Sequence, residues 1–334
     1  MHYTGTIWRP PYEAESLLLE VTAGCTHHKC KFCTLYEDLP FAFRLSPMKD
    51  IESDLLEAQM SLYNPVSEMK RRLNGLPSPK KIRRVFLTGA NPFVLSFEKL
   101  MGIAELVHRY FPENDTIGCF ARVTDAALKS DEELSALRKA GYDGLTIGIE
   151  TGDDEALRFM NKGYCAADIV AQCRRLDAAE IGYSFFYLAG ISGSDRGETG
   201  ARLTAEVCNR LHPRLIGANM LTVYPESELH REIADGAWTE ESETEKYTEI
   251  RTLIEELTFR LRLRRWARRM PSSCTEFFRG TRQSFLRQLT QSFRKPEKKT
   301  CAATARTFGI CDSRGLFHPC GVADNIPQRL RRGC

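Results

Sequence analysis

Residues 16–33 read SLLLEVTAGCTHHKCKFC, so an apolar run of strand length leads directly into three closely spaced cysteines. The run is apolar on both faces, which is typical of a strand that is covered on both sides in a parallel sheet. The cysteines follow the carboxyl end of this strand, and parallel sheets and barrels place their chemistry at that end. The stretch therefore predicts a buried first strand followed by a ligand-bearing loop.

Similar apolar runs recur along the chain and alternate with stretches of helical pattern. Strand–helix units in series predict an α/β fold with a parallel sheet, because each helix carries the chain back to the start of the next strand. The six predicted strands are residues 16–22, 84–89, 116–121, 144–149, 183–190 and 214–223.

Helix starts are marked by capping residues between the predicted strands. Ser46 and Pro47 offer an N-cap followed by proline at the first helical position. Residues 130–133 (SDEE) fit a capping box, and residues 153–155 (DDE) place acids in a first turn, where the helix dipole favours them. Residues 62–84 are rich in Pro, Lys and Arg, and we expect them to form a surface loop.

Cys25, Cys30 and Cys33 bring three thiols into one short loop. Thiolates bind iron–sulfur clusters and zinc alike, and three ligands leave one coordination position open. A structural zinc site with His27 or His28 as the fourth ligand is an alternative, and thiols without metal are another. The other cysteines of the core are predicted to be buried packing residues: Cys119, Cys165, Cys173 and Cys208.

Two stretches together resemble the radical SAM superfamily. The first is the C-x4-C-x2-C loop with an aromatic residue before its last cysteine, one residue longer than the commonest family spacing. The second is RKAGYDGLTIGIETGDDEALRFMNKG (138–163), which resembles the fourth-strand segment of the branch shared with coproporphyrinogen oxidases and tRNA-modifying members. The resemblance covers roughly residues 15–235. It implies a partial (β/α)6 TIM-like barrel with a [4Fe–4S] cluster on the three cysteines.

The same resemblance implies a second cofactor, S-adenosylmethionine, and residues that contact it. Gly89 and Asn91 follow the second strand, where the family meets the methionine amino group. Arg122 follows the third strand and is expected to meet the cofactor's carboxylate or an acidic substrate. Glu150 ends the fourth strand, where the branch places a ribose-binding acid, and Gly190 lies in the segment that resembles the adenine-contacting one.

The implied activity is reductive cleavage of S-adenosylmethionine to a 5′-deoxyadenosyl radical, which abstracts hydrogen from an unknown substrate. The implied partners are that substrate and an electron donor such as flavodoxin or ferredoxin. Two alternatives stay open at this point, a zinc-stabilised binding module and an RNA-modifying radical SAM enzyme. The second depends on the basic end of the chain.

The chain is predicted to comprise an N-terminal segment (1–14), a core (15–257) and a tail (258–334), and a shift in charge marks the second boundary. Residues 260–334 carry 18 Lys and Arg residues against 4 Asp and Glu, whereas the formal net charge of the whole chain is only +3. The tail is interpreted as a nucleic-acid-binding appendage, an auxiliary cluster site, or a disordered or frame-shifted segment of uncertain structure. Cys301, Cys311, Cys320 and Cys334 follow at irregular gaps in its second half.

The N-terminal sequence lacks a basic-then-apolar signal pattern, and no apolar run approaches the roughly 18 residues of a membrane span. The twelve cysteines are unevenly spaced in a long chain, which is unlike a small disulfide scaffold. These features predict a cytoplasmic protein that does not enter a membrane, in a reducing compartment where thiols stay free to bind metal.

Overall fold

A computed structural model describes residues 1–76, 81–258, 261–265 and 307–312 of the chain. The strands are β1 (Leu17–Glu20), β2 (Thr22–Gly24), β3 (Phe43–Leu45), β4 (Arg84–Thr88), β5 (Thr116–Ala121), β6 (Leu145–Glu150), β7 (Tyr183–Ala189), β8 (Leu215–Met220), β9 (Leu261–Arg265) and β10 (Thr307–Asp312). The helices are α1 (Met48–Tyr63), α2 (Pro65–Leu73), α3 (Phe97–Tyr110), α4 (Val123–Ala127), α5 (Asp131–Lys139), α6 (Asp154–Phe159), α7 (Ala166–Ala178), α8 (Gly197–Cys208), α9 (Glu228–Ala234) and α10 (Glu243–Glu256).

Six parallel strands form the sheet in the order β1-β4-β5-β6-β7-β8, with helices on the connections. This confirms the predicted α/β fold and its partial (β/α)6 TIM-like barrel. Two strands from the predicted tail extend the same sheet, because β10 pairs antiparallel with β8 and β9 with β10. Cys311 lies in β10. Cys301, Cys320 and Cys334 lie outside the described residues.

The first predicted strand is split in two, which shapes the cysteine loop. The parallel strand β1 ends at Glu20, and Thr22–Gly24 instead pairs antiparallel with β3. Gly24 has a φ of +82°, and a Cβ there would lie 2.1 Å from the carbonyl oxygen of Ala42. Only glycine fits this turn without strain. The cysteine loop therefore leaves from one arm of a short hairpin and returns into the other.

Two predictions about the first connection are wrong. The helix α1 begins at Met48 with Pro47 as its N-cap, one residue later than the Ser46 cap predicted, and Ser46 instead donates its backbone N–H to Val21. Residues 62–84 are not all loop, since α2 forms within them. Asn64 caps α2 by accepting from the backbone N–H of Val66, and Pro65 suits the first helical position.

The remaining helix starts follow the sequence closely. The capping box at residues 130–133 is formed, and Asp153 caps α6 by accepting from the backbone N–H of Glu155. The strands β4 and β6–β8 differ from their predicted bounds by one to three residues at their ends, and β5 has its predicted bounds.

Two hydrophobic clusters result from this arrangement. The larger one fills the space between the sheet and its helices. A smaller one joins the loops that follow β6, β7 and β8, and we call it the mouth cluster. Its members are Met160, Ile191, Leu221, Leu229 and Trp238, with Phe32, Phe159, Leu188, Val223 and Ile233 packed against them. Within the described part of the chain, no helix has the length and apolarity needed to cross a membrane.

Candidate functional site

The cysteine loop is fixed by backbone hydrogen bonds at both ends. The N–H of Cys25 donates to the carbonyl of Ala42 (2.8 Å), and the N–H of Cys33 donates to the carbonyl of Cys30 (3.1 Å). All three thiols are half-buried and free of disulfides. The side-chain ring of His27 donates to the backbone oxygen of Asn161, so this histidine shapes the loop.

The electrostatics of the loop suit a positively charged centre. Burial raises the pKa of the Cys33 thiol to about 12, and the nearby Cys30 and Cys25 raise it further in their charged forms. Three thiolates this close repel one another unless a metal centre neutralises them. In residues 1–76 and 81–258, no three His, Cys, Asp or Glu side chains form a group that could hold one metal ion. A cluster places each thiolate on a different iron, and three thiols in one loop fit that donor set.

Lys31 ties the cysteine loop to α9, far along the chain. Its backbone carbonyl accepts from the N–H of Leu229 (2.8 Å), and its own N–H donates to the carbonyl of Met160 (3.2 Å). Its ammonium pairs with Glu232 and lies 3.8 Å from Glu228. The side chain is 15% exposed, so these pairs are only partly screened by water. The loop is thus held from the side of the mouth cluster.

Asn91 joins the cysteine loop to the start of α4. Its side chain is fully buried, donating to the hydroxyl of Thr26 (2.8 Å) and to Asp125 (3.1 Å). Asp125 also accepts from the backbone N–H of Arg122 (2.8 Å). Burial raises the pKa of Asp125 to about 6 despite these donors. The amide of Asn91 is engaged by protein groups, and its predicted contact with the cofactor stays a prediction.

Gly89 is required by close packing at the end of β4. Its φ is +130°, and a Cβ would lie 1.9 Å from the hydroxyl oxygen of Thr22. Among the described residues, the buried hydroxyls of Thr22 and Thr88 have no hydrogen-bond partner. Unpaired buried hydroxyls are costly in a folded chain. These two next to Gly89 therefore fit a site that receives a polar ligand.

Glu150 and Lys162 form a buried ion pair at the end of β6. Glu150 Oε1 and Lys162 Nζ are 3.1 Å apart, and their side chains are 15% and 5% exposed. Burial alone would lower the pKa of Lys162, but the charges of Tyr164, Glu150 and Cys30 raise it above its ordinary value. Glu150 has a φ of +63°, a left-handed conformation that costs energy in any residue except glycine. Such strain is typical of functional sites.

Arg122 lies at the same corner of the sheet. Its guanidinium donates to the backbone oxygen of Lys162 and lies over the ring of Tyr164, 5.6 Å from the centroid. The structure thus brings together Arg122 and Glu150, two residues predicted to contact S-adenosylmethionine. Both contact Lys162, whose ammonium lies near Cys30.

Gly190 is held in a separate network. Its N–H donates to Glu249 (2.6 Å), which also accepts from the hydroxyl of Tyr187. A Cβ on Gly190 would lie 2.6 Å from Cε of Lys246. The glycine is therefore required by the approach of α10, and its predicted contact with adenine stays a prediction.

Lys162, Asp125 and Lys31 have no role in the sequence prediction. Each is charged, and charged residues in a sequence are normally expected at the surface. For Lys162, the one available signal is its position shortly after Glu150, which offers it a partner of opposite charge.

The prediction that the other core cysteines are buried holds for three of them. Cys119, Cys173 and Cys208 are buried, whereas Cys165 is half-exposed. Cys165 is the N-cap of α7, and its Sγ donates to Asp168 (3.2 Å). A helix N-cap lies outside the apolar face of the helix, which explains the exposure.

Comparison with known proteins identifies the class that this fold and loop define. The model of the radical SAM superfamily matches residues 19–199, more than half of the chain. The chain therefore belongs to the radical SAM superfamily and is an enzyme of that type. Members use a [4Fe–4S] cluster and S-adenosylmethionine, and these are its cofactors. The zinc-stabilised binding module is thereby set aside.

Individual relatives are distant. The heme chaperone HemW of Bacillus subtilis (strain 168) is 26% identical over 156 residues, which are 47% of this chain and 37% of that protein. Coproporphyrinogen III oxidase (HemN) of Escherichia coli aligns over 72% of this chain and 50% of its own, with 16% identity and a TM-score of 0.48. The methyltransferase TsrM of Kitasatospora setae aligns over 67% and 40%, with 15% identity and a TM-score of 0.49. The chain spans well under two thirds of each.

Proposed function

We propose that Cys25, Cys30 and Cys33 hold the [4Fe–4S] cluster and that the enzyme abstracts hydrogen from a substrate in the mouth of the barrel. The observation that carries the proposal is the half-buried triad after β2, beside a buried Glu150–Lys162 pair. With both cofactors bound, one electron breaks the S–C5′ bond of S-adenosylmethionine, leaving methionine and a 5′-deoxyadenosyl radical that takes a hydrogen atom from the substrate.

The protein's own groups orient the cofactors and keep water away. Lys31 and Asn91 fix the cysteine loop from opposite sides, through α9 and through α4. The mouth cluster covers the carboxyl ends of the strands with apolar side chains. An apolar cover protects a reactive radical from solvent.

The S-adenosylmethionine contacts are part of the proposal. Glu150 is proposed to accept from the ribose hydroxyls, because its strained backbone holds a carboxylate at the end of β6. Arg122 is proposed to attract the cofactor's carboxylate, and Gly89 to admit its amino group near the Thr22 hydroxyl. Gly190 is proposed to offer backbone contacts to adenine.

An electron donor such as flavodoxin or ferredoxin completes the reaction. The substrate is unknown. The narrower RNA-modifying alternative rests on the basic composition of residues 258–334, most of which lie outside the described residues. It predicts salt-dependent RNA binding that is lost on truncation at residue 258. The predicted cytoplasmic location likewise stays a prediction.

The test is anaerobic reconstitution with iron and sulfide, followed by dithionite and S-adenosylmethionine. We expect iron-dependent absorbance and 5′-deoxyadenosine from the native chain, and neither from Cys33→Ser. Cys165→Ser is the matched control, since it removes a half-exposed thiol outside the triad and is expected to keep both signals. Absence of both signals with the triad intact would refute the proposal.

A further inference from the structure

The helix α2 presents its apolar side chains to solvent. Val66, Met69 and Leu73 are spaced i, i+3 and i+7, which places them on one face of the helix. They are 61%, 65% and 80% exposed, and we call this face the α2 stripe. Glu68 lies on the other side of α2 and is half-buried, so that side faces the body of the protein. An amphipathic helix normally packs its apolar face on the core, and the reversed orientation of α2 indicates an external partner.

Exposed apolar side chains continue before and after α2 in the chain. Leu76, just after the helix, is exposed, and so are Leu56 and Met60, four residues apart on one face of α1. Because α1 and α2 contact each other, these side chains belong to one region of the surface. Single apolar side chains are normal at a protein surface, whereas a group of them marks an interaction site.

Cations flank the α2 stripe. At about 100° of rotation per residue, Lys70 lies beside one edge of the stripe and Arg72 beside the other, and both are exposed. The helix carries three cations, Lys70, Arg71 and Arg72, against one acid, Glu68, which pairs with Arg72. A narrow apolar face between cations is typical of helices that lie in the interface of an anionic lipid surface.

The basic residues that follow α2 do not add to its charge. Lys81 pairs with Glu113 (2.7 Å), and Arg83 pairs with Asp115 (2.6 Å). Both acids belong to the connection between α3 and β5. The excess of positive charge in this region is therefore that of α2 itself.

The α2 stripe lies at the end of the sheet opposite the cysteine loop. The chain passes from α2 to Arg84, the first residue of β4, and so reaches the amino end of a parallel strand. The backbone N–H of Ile82 donates to the hydroxyl of Tyr63 (3.0 Å), which holds this connection beside the end of α1. A surface that covers the α2 stripe therefore leaves the cysteine triad and the mouth cluster uncovered.

We propose that the α2 stripe seats the protein on an anionic lipid surface, with its apolar side chains among the headgroups and with Lys70 and Arg72 at lipid phosphates and carboxylates. The stripe offers far fewer side chains than the roughly 20–30 residues a side of a stable protein–protein interface. In a second copy, the cations of the two helices would also face one another. The protein would then lie on a membrane without crossing it, which narrows the prediction that it does not enter one.

The test is co-sedimentation of the full chain with vesicles of phosphatidylcholine, with and without phosphatidylserine. Leu73→Ser removes the most exposed apolar side chain of α2, and binding to the phosphatidylserine vesicles should weaken about fivefold or more. Leu128→Ser is the matched control, since Leu128 is 65% exposed between α4 and α5, and binding should not change. Lys70→Glu should weaken binding as well, whereas Lys99→Glu, at the exposed start of α3, should not.

A second measurement distinguishes α2 from the basic residues 260–334, whose charge alone attracts anionic lipid. Phosphatidylserine vesicles should slow amide hydrogen exchange in α2 several-fold and leave exchange in α5 unchanged. A native chain that does not bind these vesicles, equal binding by Leu73→Ser and Leu128→Ser, or unchanged exchange in α2 would overturn the inference. A native dimer that Leu73→Ser converts to a monomer without vesicles would also overturn it, because the stripe would then belong to an interface between two copies.

Discussion

Asp125 provides a quantitative test of the site, because its carboxyl is buried where it links the cysteine loop to α4. The side chain is 1% exposed, and burial raises its pKa from 3.8 to about 6. We consider Asp125→Asn, which keeps the shape of the side chain and an oxygen for the N–H of Arg122. The substitution removes the ionisable group and leaves the amide of Asn91 one neutral acceptor.

The pKa shift gives the size of the effect. A shift of about 2 units corresponds to about 3 kcal/mol. Because the folded pKa lies above the unfolded one, the folded chain holds its proton longer than the unfolded chain. Asp125 therefore contributes stability below about pH 4 that is lost as the pH rises through about 6. The native protein should lose up to about 3 kcal/mol over this window from Asp125, and the variant should not.

The assay is urea unfolding of the native and variant chains from pH 4 to pH 7, without oxygen and with a reductant. The quantity of interest is the difference between their free energies of unfolding, because other titrating groups cancel in it. Asp168→Asn is the matched control, since Asp168 accepts from the N–H of the N-cap residue in α7 (2.9 Å) but is exposed. A difference for Asp125→Asn that stays constant from pH 4 to pH 7 would refute the reasoning.

Three further substitutions probe other parts of the site. Gly89→Ala forces a Cβ to 1.9 Å from the Thr22 hydroxyl at a φ of +130°, and should cost about 2–4 kcal/mol, measured as a lower Tm. Lys31→Met removes the ion pairs to α9 but keeps the apolar stem of the side chain. The rate of amide hydrogen exchange in α9 should then rise several-fold, and an unchanged rate would contradict a stabilising role of these ion pairs. Glu150→Gln leaves Lys162 without its counter-charge and should cost about 1–3 kcal/mol in thermal unfolding, with weaker S-adenosylmethionine binding in calorimetry.

The sequence predicts the fold well wherever local signals agree with one another. The strand β5 has its predicted bounds, because an apolar run is followed at once by the start of a helix. The apolar run before the cysteine loop likewise predicts β1, but it does not predict that Thr22–Gly24 turns away to pair with β3. The error at 62–84 has the opposite cause, since the many charges and prolines of that stretch hid a helix that Asn64 caps and Pro65 begins.

Local sequence signals do not predict which side chains are buried by tertiary contacts. Lys162 is 5% exposed because Glu150, Tyr164 and the cysteine loop surround it, and the cysteine loop comes from a distant part of the chain. The free-energy cost of burying the lysine ammonium is offset there by the opposite charge of a carboxylate and by the faces of aromatic rings. Sequence periodicity does not predict such long-range contacts.

The tether between Lys31 and α9 also bears on how the protein is assembled. Lys31 and Glu232 are 201 residues apart, so the cysteine loop leaves the ribosome long before the helix that closes over it. At the usual pace of synthesis, the interval is about 10–40 s. During that time the cysteine loop lacks the contacts with Glu232 and Leu229 that hold it in the folded protein. The final conformation of the loop is therefore reached only after α9 has been made.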